Sequence, residues 1–219
     1  MTPRFTLDFG SGATPEADGR LHAPAFTRNH EPIWSAIGPW LAQQSGDVLE
    51  LASGTGEHSA AYAPRTPRLT WWPSDMDNPA HFASIRAWRD AASAANLRDP
   101  QRIDLMDANW AMSGPSLAAM LAINVTHISP WPATENLIAG AGRWLKPGGR
   151  LFVYGPFMKD GTHTAPSNEQ FDASLRASNA EWGVRDIAAL AALGEAAGAP
   201  LIETAAMPAN NFTLTFEKA

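Results

Sequence analysis

Between Val48 and His58 the chain reads VLELASGTGEH, and this stretch limits the fold more than any other. Four residues suited to a buried strand, Val48-Leu49-Glu50-Leu51, run into five small ones, Ala52-Ser53-Gly54-Thr55-Gly56. That pattern predicts a strand passing through a tight turn into a helix. Small residues let backbone N–H groups come close to a ligand, and the next helix N-terminus adds a positive dipole. In an open parallel sheet such a turn lies at the carboxyl ends of the strands, where ligands bind.

Further strands are predicted at Leu69–Trp72, Arg102–Leu105, Leu117–Val125, Arg150–Tyr154, Leu201–Ala206 and Phe212–Glu217. Helical periodicity falls between them, over Glu31–Gln44, Asn78–Ala95, Pro132–Leu145, 168–178 and 185–197. Asn29 is the expected N-cap of the first helix, with Pro32 in its first turn. Leu117–Val125 is almost wholly apolar, as a strand covered on both faces requires. Trp71 and Trp72 are adjacent in a strand, so they point to opposite faces and read as core. Residues 155–168 read as a polar loop. The turn at Met207–Asn211 is too short for a crossover, so the last two strands should pair antiparallel. The alternation predicts one three-layer, Rossmann-like α/β domain over 25–219 with a mostly parallel sheet. Residues 1–24 read as an N-terminal extension or lid; Phe5, Leu7 and Phe9 alternate like a short strand, but a frayed extension is the expectation.

Composition removes several classes of function. The 219 residues carry 16 Lys+Arg against 22 Asp+Glu, a net charge of −6, which argues against a nucleic-acid partner. The absence of cysteine excludes disulfides, thiolate metal sites and a cysteine nucleophile. No dense His/carboxylate cluster calls for a metal. The start lacks the apolar core of a signal peptide, and no apolar run reaches membrane-span length. A cytoplasmic protein with no membrane partner is expected; the oligomeric state is left open.

Two nucleotide readings compete at the glycine turn. A dinucleotide fingerprint requires Gly-x-Gly-x-x-Gly, but after Gly54 and Gly56 the third place is Ser59. A methyltransferase turn takes an acidic residue at the strand end followed by alternating small residues, and Glu50, Ala52, Gly54 and Gly56 have that spacing. Asp75, at the end of the second strand, sits near the offset at which a carboxylate meets ribose hydroxyls; Asp77 competes with it or caps the next helix. Asp104 ends the third strand and offers an acceptor to an adenine amino group, with Asp107 as its alternative. Beyond the fourth strand stand Asn124, Thr126, His127, Ser129 and Trp131. His127 reads either as a general base or as a histidine bonded to backbone where strand meets helix.

The segments VLELASGTGEH, WWPSDMD, INVTHISPWPATE, LKPGGRLFVYGPF, PSNEQFDASLR, EWGVRD and MPANN together resemble the family catalogued as domain of unknown function 938. Its members are predicted class I methyltransferases dependent on S-adenosylmethionine. The likeness runs from about Arg28 to the C-terminus. It implies a seven-stranded sheet whose last strand is antiparallel, with S-adenosyl-L-methionine over the first turn and S-adenosyl-L-homocysteine as product. Glu50, Ala52, Ser53, Gly54 and Gly56 would cradle the methionine and ribose portion. Asp75 would hold the ribose, Asp104 and Leu105 the adenine, and Asn124 the methionine end. The Arg28–Ile33 segment, Asn29 included, would cover the site. Trp131, Tyr154, Phe157, His163, Asn168, Asn210 and Asn211 lie where a small organic acceptor could be met; core packing is the other reading of Tyr154 and Phe157. The expected function is methyl transfer to an O, N or S atom of a small molecule. A non-catalytic module that binds the same cofactor and offers the 155–170 loop to a protein partner is the alternative.

Overall fold

The structure is a computed structural model and describes residues 16–112 and 116–219. The Phe5–Phe9 segment, expected as a frayed extension, lies outside the described residues. From the glycine turn outward, β1 (Gly46–Leu51) pairs in parallel with β2 (Leu69–Asp75) on one side and β4 (Leu117–Ile123) on the other. β3 (Gln101–Arg102) extends the sheet beyond β2, and β5 (Leu145–Lys159) extends it beyond β4, both in parallel. β9 (Asn211–Glu217) runs antiparallel between β5 and β8 (Leu201–Met207). The resulting path is β3-β2-β1-β4-β5-β9-β8. Two short strands, β6 (Thr162–His163) and β7 (Arg185–Asp186), pair with the far end of β5.

Helices cover both faces, and the apolar residues divide accordingly. On one face α1 (Pro24–Leu41) and α2 (Glu57–Tyr62) bury Ile33, Ile37, Leu41, Ala60 and Tyr62 against Val48, Trp71, Leu121 and Phe152. Trp88 of α3 (Pro79–Ala92) joins that face. On the other, α4 (Trp131–Trp144) and α6 (Ile187–Ala196) set Leu137, Ile138 and Leu190 against Leu49, Met120, Leu151 and Phe216. Trp71 and Trp72 belong to opposite clusters, as their alternation requires. α5 (Pro166–Ser178) packs beside β6. No described helix is long and apolar enough to cross a membrane.

Two local expectations are corrected. α1 begins at Pro24, so Asn29 lies inside the helix rather than capping it, and Pro32 and Pro39 are interior. A proline inside a helix removes one backbone bond. Here the cost is offset by burial of Ile33, Ile37 and Leu41 along one stripe, and by the Tyr62 hydroxyl, which donates to His30 O at 2.7 Å. Residues 155–159 are not loop but the continuation of β5, whose pairing with β9 runs through Gly155 and Pro156. The turn into β6 is Asp160-Gly161, with φ of +52° and +73°. Positive φ at both central positions is the two-residue hairpin geometry that an Asp-Gly pair favours.

Candidate functional site

A cleft opens at the carboxyl ends of β1, β2 and β4, and the glycine turn is its floor. To reverse direction within five residues, the backbone takes left-handed values at Ala52 (φ +51°), Gly54 (+56°) and Gly56 (+91°). At Gly56 a side chain is excluded twice over. Its φ is unfavourable to other residues, and a Cβ there would stand 2.8 Å from Ile85 Cα. The strand ends are fastened together beneath the turn. Ser53 N donates to Ser74 O at 2.8 Å, and Ser74 Oγ donates to Glu50 O at 2.7 Å. Gly54 N donates to Asp75 Oδ2 at 2.7 Å, so the carboxylate of Asp75 is drawn over the turn. His81 Nδ1 lies 3.3 Å from the other oxygen, Asp75 Oδ1.

Glu50 is buried at the inner end of the cleft and accepts a hydrogen bond from Ser59 Oγ. Burial pushes its pKa up to about 7, against the opposing effect of the Ser59 and Ser53 hydroxyls. His58 lines the same end, with Nδ1 4.0 Å from Glu50 Oε1 and Nε2 3.0 Å from Asn29 Oδ1. Burial lowers its pKa to about 3, so the ring is neutral. Phe26, from the first turn of α1, meets the His58 ring edge-on at 5.0 Å. Asp104, Leu105 and Met106 form the wall beyond β3, and Asp104 Oδ1 accepts Met106 N at 2.9 Å. Asn124 takes a left-handed φ of +58° directly after β4 and donates its backbone N–H to Tyr154 O. Three carboxylates therefore line the cleft, and no lysine or arginine does among the described residues.

The residues singled out in the sequence fall into two groups. Glu50, Ala52, Ser53, Gly54, Asp75, Asp104, Leu105 and Asn124 come together around the cleft. Asp77 is exposed and 3.6 Å from Arg102, while Asp107 Oδ1 accepts Asn109 N; neither lines it. Gly56 supports the turn from behind, and Asn29 reaches the cleft only through His58.

Ser129 also lines the cleft, and the remaining candidates lie apart from the lining. His127 is buried against Gly155, 5.6 Å from the Phe171 ring, with no hydrogen-bond partner for Nδ1 among the described residues. Burial, and then the nearby Arg185, lower its pKa to about 4. Arg185 stacks on Trp131 and donates to the carbonyls of Thr126 and Ser129. Tyr154 and Phe157 are buried in the two cores on β5. His163 Nε2 is 3.6 Å from Asp172 Oδ2. Asn168 Nδ2 donates to Asn210 O, and Asn211 Nδ2 to Pro208 O, so these amides hold the β8–β9 turn. Sequence reasoning missed Phe26, His58, Asn78 and His81 as lining residues. His58 had a usable signal, being the second residue after the turn. Phe26 had none, because packing of α1 delivers it.

A parallel sheet continued by an antiparallel pair, with its cleft above a glycine turn, is the class I methyltransferase-like fold. The chain belongs to the family described as Protein of unknown function (DUF938), whose match covers residues 20–218. Its structure is similar to that of an O-methyltransferase family protein from Burkholderia thailandensis, with 19% identity and a TM-score of 0.76 over 89% of this chain and 57% of that one. Human N-acetylserotonin methyltransferase, solved in complex with SAM, shares 14% identity at a TM-score of 0.70, covering 89% of this chain and 53% of the other. CalO1, a methyltransferase in calicheamicin biosynthesis solved in an SAH-bound form, matches with 14% identity and a TM-score of 0.65 over 88% and 55%. The chain thus spans little more than half the length of these structures, and the likeness is one of fold.

Proposed function

We propose that this protein transfers a methyl group from S-adenosylmethionine to a small-molecule acceptor. The observation that carries this reading is the charge of the cleft, where Glu50, Asp75 and Asp104 stand around a left-handed turn with no lysine or arginine among the described lining residues. A pyrophosphate-bearing dinucleotide calls for positive charge or a third glycine, and Ser59 occupies that third place with its hydroxyl committed to Glu50. A sulfonium nucleoside calls for the reverse, and the donor set present fits it. Asp75 is suited to accept ribose hydroxyls, Asp104 and Leu105 to hold the adenine, and Glu50 to face the ammonium end. When bound, the cofactor supplies a methyl group already activated on a sulfonium. The chain's own part is to align the acceptor and exclude water, for which Phe26, Ile123 and Ile128 offer apolar wall.

S-adenosylhomocysteine is expected to raise the melting temperature, since it binds the native state. Asp75→Ala should abolish most of that shift while the far-UV circular dichroism stays native. An unchanged shift in the variant would remove Asp75 from the ribose site. Incubation with S-adenosylmethionine and a mixed metabolite pool should release S-adenosylhomocysteine; binding without acceptor-dependent release would instead describe a binding module.

A further inference from the structure

Residues 20–26 form one wall of the cleft through Ala23, Pro24, Ala25 and Phe26, yet residues 20–23 join no strand. Side chains of α2 and α3 hold them in place. Leu21 N donates to Ser84 Oγ at 2.9 Å, and Ser84 Oγ donates onward to Thr55 O at 2.8 Å. Ala23 N donates to Glu57 Oε2 at 2.6 Å, the same oxygen that accepts Thr55 Oγ1 at 2.9 Å. His22 Nδ1 lies 3.1 Å from Glu57 Oε1, and Trp88 Nε1 donates to Leu21 O at 2.8 Å. Two separate hydrogen-bond routes therefore run from the strap to Thr55, in the turn that floors the cleft.

Glu57 is buried, and a buried carboxylate is costly unless donors satisfy it. Among the described residues it has three partners, of which two, the Ala23 N–H and the His22 ring, belong to the strap. Lifting the strap leaves the carboxylate with Thr55 Oγ1 alone from this set. Glu57 thus joins the strap directly to the floor, beside the separate contacts of Ser84 and Trp88.

We propose that Glu57 is a positioning residue that locks the 20–26 strap onto the glycine turn, and that release of this lock governs cofactor entry and exit. The inference rests on the cofactor reading above. Its test measures the dissociation rate of S-adenosylhomocysteine, together with the rate of tryptic cleavage after Arg20, in the full chain. In Glu57→Ala both rates should rise, the dissociation rate by about tenfold, as loss of a charge-assisted hydrogen bond implies. Ala23→Pro deletes the strap's N–H without altering α2, and decides the matter if Glu57→Ala does not fold; it should shift both rates in the same direction. S-adenosylhomocysteine should slow the cleavage in wild type. Binding to wild type with unaltered dissociation in the variants overturns the lock alone. No binding to wild type overturns the cofactor reading and the lock with it.

Discussion

Glu50 is a carboxyl placed where ionisation is opposed by burial, yet it faces the cleft in which a cation is proposed to sit. Its pKa rises from 4.5 to about 7 on folding, so the folded chain holds this proton more tightly than the unfolded one. The stability tied to the protonated form is complete below the unfolded value and drains away as pH climbs through about 7. A neighbouring cation favours the carboxylate, so S-adenosylmethionine affinity should increase by up to roughly tenfold from about pH 6 to about pH 8. Glu50→Gln should flatten that titration curve; a flat curve in wild type would take Glu50 out of the cationic end. At this scale the glycine turn and Asp75 were legible, because strand ends and small residues leave a local pattern. Sequence offset favours Asp75 over Asp77, but the Gly54 N–H that draws Asp75 over the turn is a contact across two strands and leaves no local pattern.

Elements were legible where periodicity and breakers agree, and misread where a breaker was overridden. Pro32 invites a helix start, but burial of three apolar residues carries α1 through it. Pro156 and Gly155 read as loop, but β5 extends through both, and the space beside Gly155 is filled by the His127 ring. The Asp160-Gly161 signal for the β5–β6 hairpin is masked by the run of polar residues around it. Gly161 has open space around a would-be Cβ, so only its φ of +73° resists substitution. Gly161→Ala should therefore cost about 1 kcal/mol by denaturant unfolding, without loss of cofactor binding. A change near zero would mean that the turn shifts type at no cost.

The whole molecule is two apolar layers sharing one sheet, and β4 serves both. Leu117, Met120 and Ala122 belong to one cluster, and Ala118, Ala119 and Leu121 to the other. Its uninterrupted apolar run made that central position legible. The joining of α1 to the cleft through Phe26 and His58 was not, since those contacts depend on how α1 and α2 pack. Leu121→Ala should lower unfolding free energy by about 2–5 kcal/mol, because a fully covered site closes poorly over a cavity. A loss below about 1 kcal/mol would show that the layers can collapse around it. The carboxylate rim of the cleft has a consequence for throughput. Under the proposed reading Asp75, Asp104 and Glu50 all face groups that the donor keeps after giving up its methyl. Spent molecules should then be held nearly as firmly as fresh ones, and accumulated product should compete for the chamber.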